Sequence, residues 1–408
     1  MLKQDLGGTR HPIVITGLGA TGGGSRNCAD LWENCCEGRV TAQLKTVGDV
    51  CLPVYAVPDP NLTPSDSHLV RKAGRAAALA LAAAREAWQD ARLNLGGYDP
   101  ARIGVIVGSS RGPADVVDAS LAHTSKRPSE SIYTAFSSTA GLLASAFEIQ
   151  GCSLSVSATC TSGATAIYTA SRLLQSGDLD IVLAGGVDAP LIPSILERMA
   201  ATGVLSSSVT SQDALRPFDV ARNGTVLGEG AAFVVLESAA SSARRGVPSR
   251  GTLLGAALTT ESHLRSRPTD QGEGLQRAIK TALTSNSMEV PTPDLIHLHG
   301  TGTKINDQSE SACVQACFGS PDSQPIAWGS KGITGHTLGA ASSFQSILTL
   351  LAMQHSFVPG TANCSTQDPS CNIRLSLGKG FPQRIRTALC ITSGFWGKSS
   401  CLYFGAPS

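Results

Sequence analysis

The chain of 408 residues carries little charge and few aromatic side chains. Charged residues make up 15% of the sequence, aromatic residues make up 5%, and the formal net charge is +1. A surface with so little excess charge gives no electrostatic reason to expect a nucleic-acid or membrane partner. Because 42% of the residues are hydrophobic, the composition is typical of a compact folded protein rather than of a disordered chain.

Long hydrophobic runs are also absent from the sequence. The longest apolar stretch, residues 76–84, is rich in alanine and too short to cross a bilayer. Residues 1–10 are polar and lack the apolar centre of a signal peptide. We therefore expect a cytoplasmic protein.

The twelve cysteines lack the spacing of a metal site. No CxxC pair occurs, and Cys313 and Cys317 follow His297 and His299 without a zinc-like set of partners. We expect no metal, and in a reducing compartment most of these cysteines should be buried or inert thiols.

A glycine motif near the start of the sequence resembles a dinucleotide-binding fingerprint. Gly17, Gly19 and Gly22 form GxGxxG directly after a predicted strand at residues 13–15. However, residues 23–27 delay any helix, and no convincing second strand ends in an acidic residue about twenty positions further on. No Tyr-x-x-x-Lys pair is present either. We interpret the glycines as a structural turn without a nicotinamide cofactor.

Short β-branched runs alternate with alanine-rich helical segments along the chain, which predicts the α/β class. Near residues 244–248 the chain turns and a second series of elements begins, so we predict two successive halves, residues 1–246 and 247–408, although no clear sequence repeat is visible. The predicted strands are 13–15, 102–107, 154–156, 181–184, 233–236, 295–298 and 388–392. The predicted helices are 70–90, 161–175, 309–317 and 340–354.

Cys160 lies between a predicted strand and a predicted helix, in the segment Leu-Ser-Val-Ser-Ala-Thr-Cys-Thr-Ser-Gly. This position places the sulfur against the unpaired amides and the positive end of the helix dipole, which favours the thiolate. From these residues alone, Cys160 is either a catalytic nucleophile or a buried structural cysteine.

His299 and His336 each lie in a turn rich in glycine and threonine. His299 belongs to LHGTGT after a predicted strand, and His336 belongs to KGITGHTLGA before a predicted helix. Such turns bring the backbone close to a ligand and leave amides available to it. Two histidines in this setting indicate a binding or catalytic site.

These three segments together resemble the β-ketoacyl synthases of the thiolase-like superfamily, specifically the elongating type with a Cys-His-His triad. The resemblance covers nearly the whole chain and includes VITGLG, AGGVD, RPFD, GEGA, HGTGT, KGITGH and a late Gly-Phe pair. It implies a five-layered α-β-α-β-α fold built from two similar halves, usually in a dimer.

The resemblance also implies a mechanism. Cys160 would take an acyl chain from an acyl carrier protein, and His299 and His336 would hydrogen-bond the oxygen of a malonyl thioester while it loses CO₂. The backbone amides of Cys160 and Phe395 would form the oxyanion hole, and Phe395 would gate the acyl pocket. No cofactor is expected, because phosphopantetheine arrives on the carrier protein.

Further residues acquire expected roles from the same resemblance. Thr301 and Thr303 match positions that bond the phosphopantetheine arm, and Lys331 matches a lysine that supports the histidines electrostatically. Glu310 matches an acidic position nearby, and its alternative interpretation is a solvated helix charge.

Three residues depart from the usual family pattern. Thr159 replaces alanine before the nucleophile, Gln345 replaces a glutamate that would pair with Lys331, and Trp396 replaces glycine after the gate. Trp396 is expected to narrow or stiffen the acyl entrance. These departures favour a polyketide or other secondary-metabolite pathway over housekeeping fatty acid synthesis.

Several alternatives remain open from the sequence. The chain could be a chain-length-determining partner subunit without condensing activity, a malonyl decarboxylase or acyltransferase, or a cysteine hydrolase. A homodimer and a heterodimer with a related subunit are equally compatible with it. Candidate docking residues for an acidic carrier protein are Arg71, Lys72, Lys126 and Arg127.

Overall fold

The computed structural model describes residues 12–93, 96–122, 131–208, 210–262, 267–285 and 292–407. The strands in this part of the chain are β1 (Ile13–Gly22), β2 (Gln43–Val47), β3 (Val50–Val54), β4 (Ile103–Gly108), β5 (Ser153–Val156), β6 (Ile181–Asp188), β7 (Gly230–Ser238), β8 (Gly251–Thr260), β9 (Leu295–His297), β10 (Ile326–Trp328), β11 (Phe357–Val358), β12 (Phe381–Pro382), β13 (Thr387–Gly394) and β14 (Lys398–Gly405). The α-helices are α1 (Cys28–Glu37), α2 (Pro64–Val70), α3 (Gly74–Asp90), α4 (Ala114–Leu121), α5 (Ser138–Ala146), α6 (Ser162–Gln175), α7 (Pro193–Ala201), α8 (Ala239–Arg245), α9 (Glu273–Leu283), α10 (Lys304–Phe318), α11 (Lys331–Thr334) and α12 (Ala341–His355).

Ten strands form two groups with the same topology. The sheet order is β10-β9-β13-β14-β8 followed by β1-β7-β6-β4-β5. When the five strands of each group are ranked by their order in the chain, both groups have the sheet order 3-2-4-5-1, read inward from β5 in the first group and from β10 in the second. The groups meet where β1 pairs with β8 over residues 13–15 and 251–253. The fold is therefore an internal repeat that the amino-acid pattern does not reveal.

Helices form three layers around these two groups of strands. α6 and α12 contact each other and strands of both groups, so they lie between them. α3 and α5 cover the outer face of the first group, and α9 covers the outer face of the second with α10 packed against it. This is the expected five-layered α-β-α-β-α arrangement of the α/β class.

Both faces of the strands are buried, as strand β7 shows. Its alternate residues Ala232, Val234 and Leu236 pack with the central helices, whereas the residues between them pack with α3 and α5. A strand covered on both faces is a continuous apolar run rather than an alternating one.

The glycines of the GxGxxG motif lie in strand β1, so the prediction of a turn there was wrong. The physical reason is close packing against α3. A Cβ at Gly17 would lie 2.2 Å from the carbonyl oxygen of Ala87, and one at Gly19 would lie 2.0 Å from that of Ala83. The glycines allow a helix to approach the strand backbone, and this leaves no room for a pyrophosphate.

The helix predicted over residues 70–90 is interrupted. α2 ends at Val70, and α3 begins at Gly74, whose φ is 81°. The predicted docking residues Arg71 and Lys72 are exposed in the intervening turn, whereas Lys126 and Arg127 lie outside the described residues. In the second half, α10 begins at Lys304, five residues before the predicted start at 309.

The chain passes from the first repeat to the second through α8 and β8. Gly246 ends α8 with a φ of 63°, and β8 begins at Gly251. The division into two domains at residue 246 stays a prediction. In the described part of the chain, no helix combines the length and apolar character that crossing a bilayer requires.

Candidate active site

Cys160 lies in a sharp turn between β5 and α6. Thr159, directly before it, has a φ of 53°, which is an uncommon conformation for a β-branched residue. The hydroxyl of Ser162 accepts a hydrogen bond from the Ala158 amide at 2.9 Å and lies 2.6 Å from the Thr159 carbonyl oxygen. A strained backbone held in this way is common at functional sites.

His336 lies in the turn between α11 and α12, and its ring reaches the nucleophile. Gly335 has a φ of 66°, and a Cβ there would lie 2.6 Å from the ring of Tyr55, so only glycine fits. The His336 amide donates to the carbonyl of Val226 at 2.8 Å. Its Nε2 lies 3.3 Å from Sγ of Cys160.

His299 comes from the turn after β9. Glu310 on α10 accepts hydrogen bonds from the amides of His299, at 2.5 Å, and Gly300, at 2.8 Å. The rings of His299 and His336 lie edge to face with centroids 5.3 Å apart. Reactive atoms of Cys160, His299 and His336 all lie within 4.8 Å of one another.

Lys331 is buried behind the histidines, and its Nζ donates to the carbonyl of His299. Burial, together with the charge of Lys331, holds the pKa of His336 down at about 3. The same two causes hold the pKa of His299 well below its usual value. Both imidazoles are therefore neutral at physiological pH, the state that suits hydrogen-bond donation rather than ion pairing.

The protonation state of Cys160 differs from the sequence-based expectation. Burial raises the pKa of its thiol to about 11, although the charges of Lys331 and Arg111 oppose this rise. Desolvation therefore outweighs the helix-end position in the free protein. Nε2 of His336 lies 3.3 Å from the sulfur and can accept the thiol proton in the tautomer that carries the ring proton on Nδ1.

Glu310 is buried, so its interpretation as a solvated helix charge was wrong. Burial raises the pKa of Glu310 and lowers that of Lys331, and the attraction between the two groups opposes both changes. Glu310 thus fixes the backbone of the His299 turn and favours the charged form of Lys331.

Gln345 on α12 bridges two strands rather than pairing with Lys331. Its Nε2 donates to the carbonyls of Leu298 and Ile391, both at 2.9 Å, and its Oε1 accepts from the hydroxyl of Thr392 at 2.9 Å. An ionised glutamate could not donate to these carbonyls. The neutral amide therefore links the end of β9, next to His299, to the strand that leads to the gate.

The last residue of β13 and the segment that follows it approach the nucleophile. A Cβ at Gly394 would lie 2.4 Å from Oγ1 of Thr159 and 3.2 Å from the amide nitrogen of Cys160. Phe395 and Trp396 follow with 40% and 59% of their surfaces exposed. Trp396 has a φ of 66°, a conformation in which glycine would be free of strain.

A pocket of about 560 Å³ opens onto the nucleophile. The predicted site residues that line it are Cys160, His299, His336, Thr301, Thr303, Phe395 and Trp396. Oγ1 of Thr301 lies 2.9 Å from Oγ1 of Thr303. Lys331 and Glu310 lie behind this surface, in contact with the His299 turn.

Asp188 is a supporting residue that sequence reasoning missed. Its buried carboxylate accepts hydrogen bonds from Ser109 Oγ, the amides of Ser110 and Arg111, and the Gly339 amide, at 2.6–3.0 Å. It thereby joins the loop after β4 to the turn that follows His336. The sequence contained one signal for this role, because Asp188 is an acidic residue at the end of the otherwise apolar strand β6.

A second missed group supports the His299 turn from the other side. Arg222 is fully buried and pairs with Asp307 at 3.7 Å and Asp368 at 2.5 Å. Asp307 also accepts from the Phe218 amide at 2.9 Å, and Phe218 lies against Gly300. A buried arginine must be paired, and these residues distant in sequence supply its partners.

The triad atoms could also be considered as metal ligands. Within the described residues, no other set of three His, Cys, Asp or Glu donors is as closely grouped. The ammonium group of Lys331 beside His299 opposes a cation at this point, and its charge acts on all three groups. The surroundings therefore favour a developing negative charge.

Comparisons with known proteins agree with this geometry. Residues 10–242 match the family described as "Beta-ketoacyl synthase, N-terminal domain", and residues 250–365 match "Beta-ketoacyl synthase, C-terminal domain". A putative polyketide beta-ketoacyl synthase 1 of Streptomyces virginiae is 34% identical over 420 residues, covering 97% of each chain.

Two solved structures are similar over almost the whole chain. One is a type II PKS acyl-carrier protein in complex with its ketosynthase bound to the hexaketide. It has a TM-score of 0.88 and 26% sequence identity, and the match covers 98% of this chain and 100% of that one. The other, the ishigamide ketosynthase/chain length factor, has a TM-score of 0.86, 28% identity and the same coverage.

Proposed function

Because this chain belongs to the β-ketoacyl synthase family of thiolase-like acyltransferases, we propose that it condenses an acyl chain held on Cys160 with a malonyl unit on an acyl carrier protein. The observation that carries this proposal is the grouping of Cys160, His299 and His336 within 4.8 Å at the base of one pocket. The proposed pathway is polyketide or related secondary-metabolite synthesis, and the departures at residues 159, 345 and 396 support it.

In the first step, the sulfur of Cys160 attacks the carbonyl carbon of an acyl thioester. The thiol proton passes to Nε2 of His336, and the new C–S bond forms as the bond from the acyl carbon to the carrier sulfur breaks. The carrier thiol leaves with the proton that His336 had accepted. Amides of Cys160 and Phe395 stabilise the oxyanion. The close approach of Gly394, on which a Cβ would lie 3.2 Å from the Cys160 amide nitrogen, supports this arrangement. Covalent attachment keeps the acyl chain in place while the carriers exchange.

In the second step, a malonyl thioester loses CO₂, and its C–C bond electrons form an enolate. Neutral His299 donates a hydrogen bond to the enolate oxygen, and so does His336 once its ring proton has moved from Nδ1 to Nε2 while the carriers exchange. Lys331 stabilises the developing charge from behind. The enolate carbon then attacks the Cys160 thioester, a C–C bond forms, and the thiolate leaves. The product is longer by two carbons and remains on the carrier.

The carrier protein delivers both substrates through the pocket opening. Thr301 and Thr303 are the proposed contacts for its phosphopantetheine arm, and no cofactor resident in this chain is required. Lys304 and Arg267, at the same pocket, provide positive charge suited to an acidic carrier.

A second ketosynthase-like subunit, either another copy or a related chain, is the other proposed partner. Strand β5 is the end strand of its group, and Leu154 on it is 42% exposed. The nearby segment before α5 exposes Ile132 and Phe136. An unpaired edge strand with exposed apolar side chains is a surface that proteins normally cover.

The main alternative, a chain-length-determining subunit without condensing activity, would not need the reactive groups. Here Cys160, His299 and His336 are present and Lys331 is placed to support them, which favours a condensing role. A hydrolase would need a base oriented by a carboxylate or amide, and Nδ1 of His336 has no such partner among the described residues.

The proposal is tested by intact-protein mass spectrometry after mixing the chain with a panel of acyl carrier proteins. We expect an acyl adduct on the wild type and none on Cys160→Ala, because the adduct is a thioester of that residue. Cys364→Ala, which removes another buried thiol outside the pocket, should load like the wild type. An adduct that persists in Cys160→Ala would contradict the assignment of the nucleophile.

A further inference from the structure

The loop after β4 places a cation in the acyl pocket. Arg111 lines the same pocket as Cys160, and one of its guanidinium nitrogens lies 3.6 Å from Sδ of Met199. Its backbone amide is held by Asp188 at 2.9 Å, so the loop that carries it is fixed. None of the roles proposed above uses this side chain.

The guanidinium group of Arg111 forms no ion pair with any described residue, in contrast to those of several arginines elsewhere in the fold. Arg75, Arg85, Arg102, Arg222 and Arg250 each form an ion pair with a carboxylate. No carboxylate of the residues that the structure describes pairs with Arg111. An arginine next to a substrate pocket without its own counter-ion is available to an anionic ligand.

The charge of the pocket as a whole points the same way. Its described lining includes Arg111, Arg267 and Lys304 but no aspartate or glutamate. Burial raises the pKa of the Cys160 thiol, and Arg111 is close enough for its charge to oppose that rise. Apolar Met199 and Leu338 line the same pocket. A purely hydrocarbon acyl chain would leave this guanidinium group without a partner.

The internal repeat explains how Arg111 reaches this position. The loop after β4 is the counterpart of the turn after β9, because both strands rank second in their groups. In one repeat this connection carries His299, two residues after the strand, which we assign to the malonyl unit. In the other repeat the connection carries Arg111, three residues after the strand, which is placed to contact the chain on Cys160.

We propose that Arg111 binds a carboxylate on the acyl chain loaded onto Cys160, so that the protein selects acyl substrates with an anionic group. This inference rests on the proposed function, since it concerns the acyl chain of that reaction. The guanidinium group would contact the carboxylate through two parallel hydrogen bonds, a geometry that an ammonium group cannot reproduce.

The test compares two eight-carbon pantetheine thioesters, octanoyl and octanedioyl, in loading reactions without malonyl substrate. We expect the wild type to load the octanedioyl chain about tenfold to a hundredfold faster, Arg111→Met to lose this preference, and Arg111→Lys to keep part of it. Thermal unfolding confirms that each variant is folded, which we expect because the side chain is exposed.

Other outcomes overturn the inference. Equal loading of both chains by the wild type shows that no anionic group is selected. An equal slowing of both chains in Arg111→Met shows that the guanidinium group acts on the thiol. If Arg267→Met loses the preference for the octanedioyl chain as fully as Arg111→Met does, the preference comes from the overall positive charge of the pocket and not from Arg111. If neither chain loads, the proposed function fails as well.

Discussion

At the scale of single residues, the site depends on a buried positive charge placed behind neutral histidines. Burial lowers the pKa values of His299 and His336 and raises that of Cys160, and the nearby charge of Lys331 acts to lower all three. The charge thus reinforces the effect of burial on the histidines and favours the thiolate, two effects that the proposed condensation requires.

Replacing Lys331 should therefore change the pH dependence of acyl loading. A positive charge favours the thiolate and lowers the thiol pKa, so its removal in Lys331→Met raises that pKa. Burial lowers the pKa of Lys331 to about 8, so its charge is present below that pH and is lost above it. Lys331→Met should therefore load more slowly than the wild type below about pH 8, and the difference should shrink at higher pH. The measurement is the loading rate of one acyl thioester across pH. The control is Lys280→Met, which replaces an exposed lysine on the outer helix α9 and should show the wild-type profile. A Lys331→Met profile identical to that of the wild type would contradict this account.

The residues of the site could largely be identified from the sequence, but their environment could not. Cys160, His299 and His336 were singled out by their turns of small residues and by the family resemblance of the surrounding segments, and the structure groups them. The raised thiol pKa, the burial of Glu310 and the contacts of Asp188 all depend on neighbours distant in the chain. No local pattern contains that information.

At the scale of secondary-structure elements, the gate after β13 is the feature that most distinguishes this chain. Trp396 adopts a left-handed conformation, and 59% of its surface is exposed at the pocket. Holding a bulky residue in this region costs about 1–3 kcal/mol unless its surroundings compensate. We interpret the indole as a restriction on the acyl entrance.

Trp396→Gly should broaden the range of acyl chain lengths that load onto Cys160. Trp396→Ala is the matched variant, since it removes the indole but keeps a Cβ in the strained conformation. The measurement is the loading rate for a series of acyl thioesters of increasing length. Broadening in both variants assigns the restriction to bulk, and broadening only in Trp396→Gly assigns it to backbone stiffness. Identical profiles in all three proteins would refute a role for Trp396.

Helices and strands were predictable where hydrophobic spacing was strong and uncertain where glycine was present. The predicted helix at 161–175 closely matches α6, Ser162–Gln175. By contrast, Gly17 and Gly19 looked like a turn and are strand residues, because glycine is required there by the approach of α3. A glycine signals the absence of a side chain, and the sequence does not say whether a turn or a tight contact requires it.

At the scale of the whole molecule, the repeat assembles the active site from equivalent parts. Cys160 lies between β5 and α6, and His336 lies between β10 and α12, which are the corresponding elements of the two groups. The helix starts meet where the Ala164 amide donates to Ser342 Oγ at 2.8 Å. Each half alone contains an incomplete site, so catalysis requires the two halves to pack together.

The central claim is that Cys160 holds the acyl chain while the histidines of the other half promote condensation. The most direct test compares wild type and His299→Ala, both first loaded on Cys160 and then given malonyl carrier protein, with the product mass followed over time. We predict normal loading of His299→Ala and a fall of about two to three orders of magnitude in formation of the product two carbons longer. Condensation at the wild-type rate in His299→Ala, or no condensation by the wild type with any loaded acyl chain, would contradict the account.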